Sequence, residues 1–232
     1  MRKFLLFALT AAIAAGATSS TSTKDLDAAR DRQDLPALQK IIAQNQQAVQ
    51  ANEKSADAQY RLALANSYAA EVAMELRDKK KVEAFAEAGI DAAQKAVAAN
   101  GSNAEYHRIL GGLCGQVIPA NPLFGGLKYG QCAQQELNKA IQLNGNLALA
   151  YVSRGVGYTY LPPSFGGGVD LALKDFNKAI ALDPKLAEAY LWKGVALRKI
   201  DRKAAARQAF QKALELNPNR LWAKQELAKT PA

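Results

Sequence analysis

Residues 187–220 read AEAYLWKGVALRKIDRKAAARQAFQKALELNPNR, and these 34 residues decide the fold. Counted from Ala187, Tyr190, Gly194 and Leu197 stand at the fourth, eighth and eleventh places. Ala206, Phe210, Ala213 and Pro218 stand at the twentieth, twenty-fourth, twenty-seventh and thirty-second. The set has a mechanical meaning if the stretch is two helices lying side by side. Gly194, Ala206 and Ala213 are small enough to let helices approach, while Tyr190, Leu197 and Phe210 fill the space between them and the next pair. Pro218 stops the second helix and opens the following turn.

The pattern recurs toward the N-terminus. A unit from Ala148 carries Tyr151, Gly155 and Tyr158, then Ala172, Phe176, Ala179 and Pro184, and runs for 39 residues. The unit from Ala104 carries Leu110 and Gly111, then Ala133, Leu137 and Ala140, over 44 residues, with Gly145 in place of the terminal proline. A more degenerate unit from Ala56 has Leu62, Ala63, Gly89, Ala96 and Gly101 over 48 residues, including the charged stretch Arg77 to Lys81. The excess over 34 residues is expected between the paired helices. Helix is also indicated without the repeat. The chain is rich in Ala, Leu, Lys, Gln and Glu, spaces its apolar residues by three and four in windows such as Ala172 to Leu182, and breaks at Asn100-Gly101, Asn144-Gly145, Asp183-Pro184 and Asn217-Pro218.

At these spacings the chain resembles the tetratricopeptide-repeat family. The resemblance implies an all-α solenoid of about four helix pairs over residues 34–232, with repeats at about 56–103, 104–147, 148–186 and 187–220. An N-terminal helix from Leu35 to Ala51 and a capping helix at 221–232 are expected to close the ends, since inner repeats bury their faces only against neighbours. Residues 18–33 are expected to be a flexible segment.

The start of the chain reads as an address. Arg2 and Lys3 precede the apolar run Phe4 to Ala17, which ends in the small-x-small pattern Ala15-Gly16-Ala17 and is too short to span a bilayer. A secretory signal cleaved near Ala17, and a periplasmic or secreted protein, are therefore expected, with no stable membrane insertion after cleavage. Losing Arg2 and Lys3 takes the net charge from +9 to +7, a balance that favours acidic partners or an anionic envelope surface. Arg198, Lys199, Arg202, Lys203, Arg207 and Lys212 concentrate part of it. With no interleaved aromatics they read as a solvated helix face rather than a nucleic-acid site.

Cys114 and Cys132 share an oxidising compartment if the chain is exported. In the fold that the resemblance implies, their places face each other across one helix pair, so a disulfide closing the 115–131 loop is expected. Two inserts share the text Pro-x-Phe-Gly-Gly, at Pro122 to Gly126 and Pro163 to Gly167. Their prolines stiffen the outgoing chain and their glycines permit a sharp return, leaving Phe124 and Phe165 on braced loops. Each phenylalanine either plugs the apex of its helix pair, packs on the next loop, or forms an aromatic lip at a binding groove.

Relatives of this kind bind peptides on the concave surface of their first helices. The lysine-and-asparagine clamp that grips a C-terminal carboxylate in one subgroup is missing here. What remains is a candidate groove that is basic at Arg61 and Arg108 and apolar at Val152, Val156, Leu191, Trp192 and Val195. It suits a partner helix, or an apolar peptide with an acidic flank. No catalytic, cofactor or metal residues are expected. The single histidine, His107, sits at an aromatic packing position, two cysteines and one histidine supply too few metal ligands, and no phosphate-cradling glycine loop is present. Two functions follow from these features: a non-catalytic scaffold holding an envelope protein in its concave face, or a carrier of a small molecule or lipid in a pocket near the Pro-x-Phe-Gly-Gly loops.

Overall fold

The computed structural model describes residues 22–120 and 122–231, without the side chains of residues 122–124. The secretory signal expected over residues 1–17 lies outside the described residues. Eleven α-helices follow one another in the described chain: α1 (Thr23–Asp31), α2 (Leu35–Ala51), α3 (Ala56–Glu75), α4 (Lys79–Ala99), α5 (Ala104–Ala120), α6 (Pro122–Leu143), α7 (Ala148–Tyr160), α8 (Val169–Leu182), α9 (Ala187–Lys199), α10 (Lys203–Leu216) and α11 (Leu221–Ala228). The first helices of successive pairs, α1, α3, α5, α7 and α9, pack side by side, and each also packs on its own second helix.

Two kinds of turn repeat through the stack. The turns from a second helix to the next first helix begin at Asn52, Asn100, Asn144, Asp183 and Asn217, each accepting a backbone bond from the residue three further on. In four of them the side-chain oxygen also takes the backbone N–H two residues on, as in Asn100 to Ser102 and Asp183 to Lys185. Aspartate and asparagine stand there because their short acceptors can close such a turn. Within a pair, the turns at Gln33, Arg77 and Asp201 share another geometry. Each of these residues has φ near +60° (56°, 62° and 61°), and the next N–H returns to the carbonyl five residues back (Asp34 to Ala29, Asp78 to Ala73, Arg202 to Leu197). Helices commonly end this way, although glycine is the residue that adopts the conformation without strain.

That shared turn corrects the expected flexible segment over its described part, residues 22–33; residues 18–21 lie outside the described residues. Residues 23–31 form α1, which pairs with α2 as a fifth helix pair ahead of the four. Ser22 and Asp25 cap it reciprocally, and Leu26 and Ala29 bury one face. The sequence signal was Ser22-Thr23-Lys24-Asp25, a capping box.

The extra residues also lie elsewhere than expected. In the 56–103 unit they lengthen the helices: α3 and α4 have 20 and 21 residues, where α7 and α9 have 13. In the 104–147 unit α5 runs to Ala120 and α6 begins at Pro122, so Pro122 to Gly126 is the first turn of a helix rather than a loop. A proline is tolerated at a helix start because its missing N–H would be unbonded there anyway. Gly125 makes no positive-φ turn; a Cβ there would come within 3.1 Å of the Val117 and Ile118 backbone of α5. The Phe124 side chain lies outside the described residues. In the 148–186 unit the insert is a loop, residues 161–168, with a 3₁₀ turn (Pro163–Phe165) and glycines at φ 79° and 114° (Gly166 and Gly168) that make the sharp return.

Packing follows the repeat. Phe176 and Phe210 are fully buried, and Gly155 and Gly194 lie so close to them that an added Cβ would meet the rings at 2.7 and 2.5 Å. Cys114 and Cys132 form a disulfide between α5 and α6, with Cα atoms 6.0 Å apart. One apolar cluster fills the pairs from α1 to α6 and another those from α7 to α11. Met74, near the end of α3, packs on the second.

Candidate functional site

The N-terminal helices are tied to the C-terminal ones through buried charge. The stretch that lengthens α3 carries Glu71, Met74 and Glu75 across to the last helices. There Arg220, the residue capping α11, is 1% exposed and ties four elements together. Its Nε donates to Glu188 Oε1 of α9 at 2.9 Å, and its Nη2 to Glu71 Oε1 at 2.7 Å and Glu75 Oε1 at 2.5 Å. Its Nη1 donates to Glu75 Oε2 at 3.2 Å, and Asp31 of α1 lies 3.7 Å from Nε. Around it Asn217 donates to Asp31 Oδ2, and the Gln33 and Gln225 amides bond each other reciprocally. Arg30 binds Asp31 and lies 3.5 Å from Glu188. These contacts join residues as far as 192 positions apart in the sequence.

Charges this deeply buried are stable only when paired. Burial works against the Arg220 cation, but the surrounding Glu188, Glu71 and Glu75 carboxylates hold its pKa above the ordinary value. Burial also disfavours the Glu188 anion; Arg220 and Arg30 outweigh it and keep that pKa low. At Glu71 burial wins over Arg220, with Glu188 adding like charge, and the pKa is pushed up to about 7.

The groove residues read from the sequence are therefore not brought together on an open surface. Leu191, Val152, Trp192 and Val195 are 1, 5, 5 and 8% exposed, and Val156 is half-buried among the same side chains. Trp192 stacks edge-on against Trp222 of α11, with ring centroids 4.8 Å apart. The end helix and the lengthened α3 cover what the sequence left as a groove. Arg108 is turned inward and held by Glu105 of its own helix through two bonds, at 2.7 and 2.5 Å, with Tyr60 donating to the same carboxylate. Arg61 pairs with Asp57 at 2.7 Å and lines a hollow of about 360 Å³ with Leu26, Asn45, Tyr60 and Leu64. His107 is buried against Glu136 and the Gly101 carbonyl, a packing role.

An accessible hollow of about 400 Å³ lies instead where the C-terminal ends of α7 and α9 meet, lined by Thr159, Tyr160, Val195, Arg198 and Lys199. Lys199 Nζ donates to the Thr159 carbonyl at 2.5 Å and stands 5.1 Å from the centre of the Tyr160 ring. Arg198 pairs with Glu226 of α11. The loop leaving Tyr160 carries Phe165 at 73% exposure, with Tyr160 itself at 41% and Ile200 at 39%. At that exposure Phe165 does not plug the apex of its helix pair. The basic run is not simply solvated either, since Arg198, Lys199 and Arg207 each make a specific contact. The sequence did not single out Arg220, Glu188, Glu71 and Glu75, and the second place of the repeat, where Glu188 stands, is acidic in two other repeats as well, at Asp57 and Glu105.

Among the described residues no group of three or more acidic, histidine or cysteine side chains is placed to hold a metal, and no helix is long and apolar enough to cross a membrane. Stacked helix pairs with small residues at the crossing points define a tetratricopeptide-repeat protein, and a profile described as tetratricopeptide repeat matches residues 166–220. A second profile, described as regulator of microtubule dynamics protein 1-3, matches residues 24–160, more than half the chain. The chain belongs to that family, whose match runs from the start of α1 to the end of α7 and so takes in the lengthened pairs. No curated protein matches the sequence. Among solved structures, TTC0263, a thermophilic tetratricopeptide-repeat protein of Thermus thermophilus, is similar at a TM-score of 0.66 and 19% identity, over 90% of this chain and 97% of that one. YrrB, described as having an unusual peptide-binding site, is similar at 0.45 and 21% identity, over 91% and 93%. The Arabidopsis OM64 repeat domain is similar at 0.43 and 27%, over 55% and 93%.

Proposed function

We propose that the protein is a non-catalytic scaffold of the cell envelope that holds a segment of a protein partner at the rim formed by α7, α9 and the 161–168 loop. The observation that carries this reading is the pairing of exposed aromatic surface, at Phe165 and Tyr160, with the cations Lys199 and Arg198 around an accessible hollow, while Val152, Leu191, Trp192 and Val195 are buried. The chemistry suits an acidic segment bearing an aromatic or branched apolar side chain: its carboxylates meet Lys199, and its apolar group meets Tyr160 and Phe165. The start of the chain, with its charged, apolar and small-residue regions in order, supports the envelope assignment. The test is a photo-crosslinking residue at position 165 of the secreted protein in its native cells, repeated with Lys199→Glu. A discrete adduct with a protein, lost on the charge reversal, is expected. No protein adduct, or one indifferent to Lys199→Glu, overturns the reading. A small molecule found in the hollow by native mass spectrometry would favour a carrier instead.

A further inference from the structure

The junction that closes the N-terminal helices on the C-terminal ones holds more acid than base. Asp31, Glu71, Glu75 and Glu188 gather about Arg30 and Arg220, so four carboxylates share two guanidiniums. One oxygen is left over: Glu188 Oε2 is buried and has no hydrogen-bond partner, while Oε1 of the same group takes Arg220. A buried carboxylate oxygen without a donor is disfavoured, and so is a surplus of buried negative charge. Both problems are relieved if one carboxyl of the cluster keeps its proton. We propose that the closure is a proton-binding site, with one proton held by the Glu71 and Glu188 carboxyls, and that the junction loosens when this proton leaves.

The two groups are bound to the same Arg220 guanidinium yet sit in different surroundings. Glu188 has both arginines near it and stays ionised, whereas burial pushes Glu71 up to about 7. Carboxyls driven apart in this way share a proton as a pair rather than titrating singly. The charged and titratable groups facing Glu71 are Glu75 and Tyr68 on its own helix, Arg30 and Asp31 on α1, Glu188 on α9 and Arg220 at the start of α11; Asp27 bonds Tyr68, and Arg108 of α5 lies behind it. A carboxyl raised in the closed form binds its proton more tightly there than in the open form. Its contribution to closure is complete below the ordinary carboxylate pKa and is lost as pH rises through about 7. The lowered Glu188 acts in the opposite sense, and its contribution is lost only well on the acid side. Closure is therefore favoured between mildly acid and neutral pH and weakens above it.

The chain's two tryptophans, Trp192 and Trp222, report on this directly, because the Trp222 ring stands 5.6 Å from the Arg220 guanidinium. Acrylamide quenching and solution scattering of the full chain between about pH 5.5 and 9 read the closure constant, which is expected to fall roughly 30-fold through a one-proton transition. Glu71→Gln, neutral at every pH, is expected to remain protected and flat across the range. Glu188→Gln, which removes a like charge, is expected to move the transition to lower pH. A flat profile for the native protein, or a Glu71→Gln variant that titrates as the native protein does, overturns the proposal. Should Glu71→Gln lose its helical circular dichroism, infrared spectroscopy of the native protein decides: a protonated-carboxyl band present at neutral pH and gone at alkaline pH is expected, and its absence overturns the proposal.

Discussion

Replacing Arg220 by methionine keeps the apolar stem and removes the guanidinium that ties α1, α3, α9 and α11 together. Four hydrogen bonds go with it, at 2.5, 2.7, 2.9 and 3.2 Å, all to carboxylates. Hydrogen bonds to charged groups contribute about 1.5–3 kcal/mol each, which taken singly would give roughly 6–12 kcal/mol. The bonds share one desolvation cost, however, so the better guide is the loss on removing one partner from a buried ion pair, about 3–5 kcal/mol. The upper end applies, because Glu71, Glu75 and Glu188 all lose the same cation. In a protein of this size each kcal/mol moves the melting temperature by roughly 2–4 °C, so a fall of about 10–20 °C is expected by scanning calorimetry. Helical circular dichroism should persist below the transition, while solution scattering shows a wider molecule. Arg220→Lys should recover less than half the loss, since one ammonium cannot serve three carboxylates as a planar fork does. The exposed pair Lys212–Glu215 supplies the control, where Lys212→Met should cost less than about 1 kcal/mol. A loss under about 1 kcal/mol for Arg220→Met, or full rescue by lysine, would refute the assignment of the closure to this network.

Three further outcomes follow from the packing. Reducing the Cys114–Cys132 bond, whose residues are 18 positions apart, should cost about 3 kcal/mol in denaturant unfolding; a loss below about 1 kcal/mol would mean the α5–α6 packing alone restrains the hairpin. Gly194→Ala gains about 1 kcal/mol of helix propensity but forces a methyl against the buried Phe210 ring, so a net loss is expected, whereas Gly157→Ala, with nothing within 4 Å, should stabilise; equal signs in thermal unfolding would sink the packing argument. Arg77→Gly relieves a positive φ of 62° in the α3–α4 turn and should raise stability by roughly 0.5–1 kcal/mol; a decrease would show that the Arg77 side chain makes the larger contribution.

The repeat and its turns were legible because they are local. The spacing of Gly194, Ala206, Phe210 and Ala213 places helix against helix within one unit, and the Asn and Asp residues at the turns close their own bonds. The fifth pair was equally local, written in the Ser22–Asp25 capping box, but its turn carries Gln33 at positive φ where a glycine would have announced it. The Pro-x-Phe-Gly-Gly text misled at one of its two sites, because proline and glycine serve a helix start and a close crossing at 122–126 as readily as a loop at 163–167.

By itself the sequence determined an all-helical repeat solenoid, the register of its pairs and the cysteines that meet between α5 and α6, all consequences of spacing within a unit. Only the tertiary structure decided whether the apolar residues at Val152, Leu191, Trp192 and Val195 are open to a partner, and it buries them. The lengthened α3 reaches Arg220, and Arg220 and Glu71 are 149 positions apart, too far for any local pattern to relate. Burial then did what composition could not show: it set four carboxylates about two arginines out of water, where their charges depend on one another.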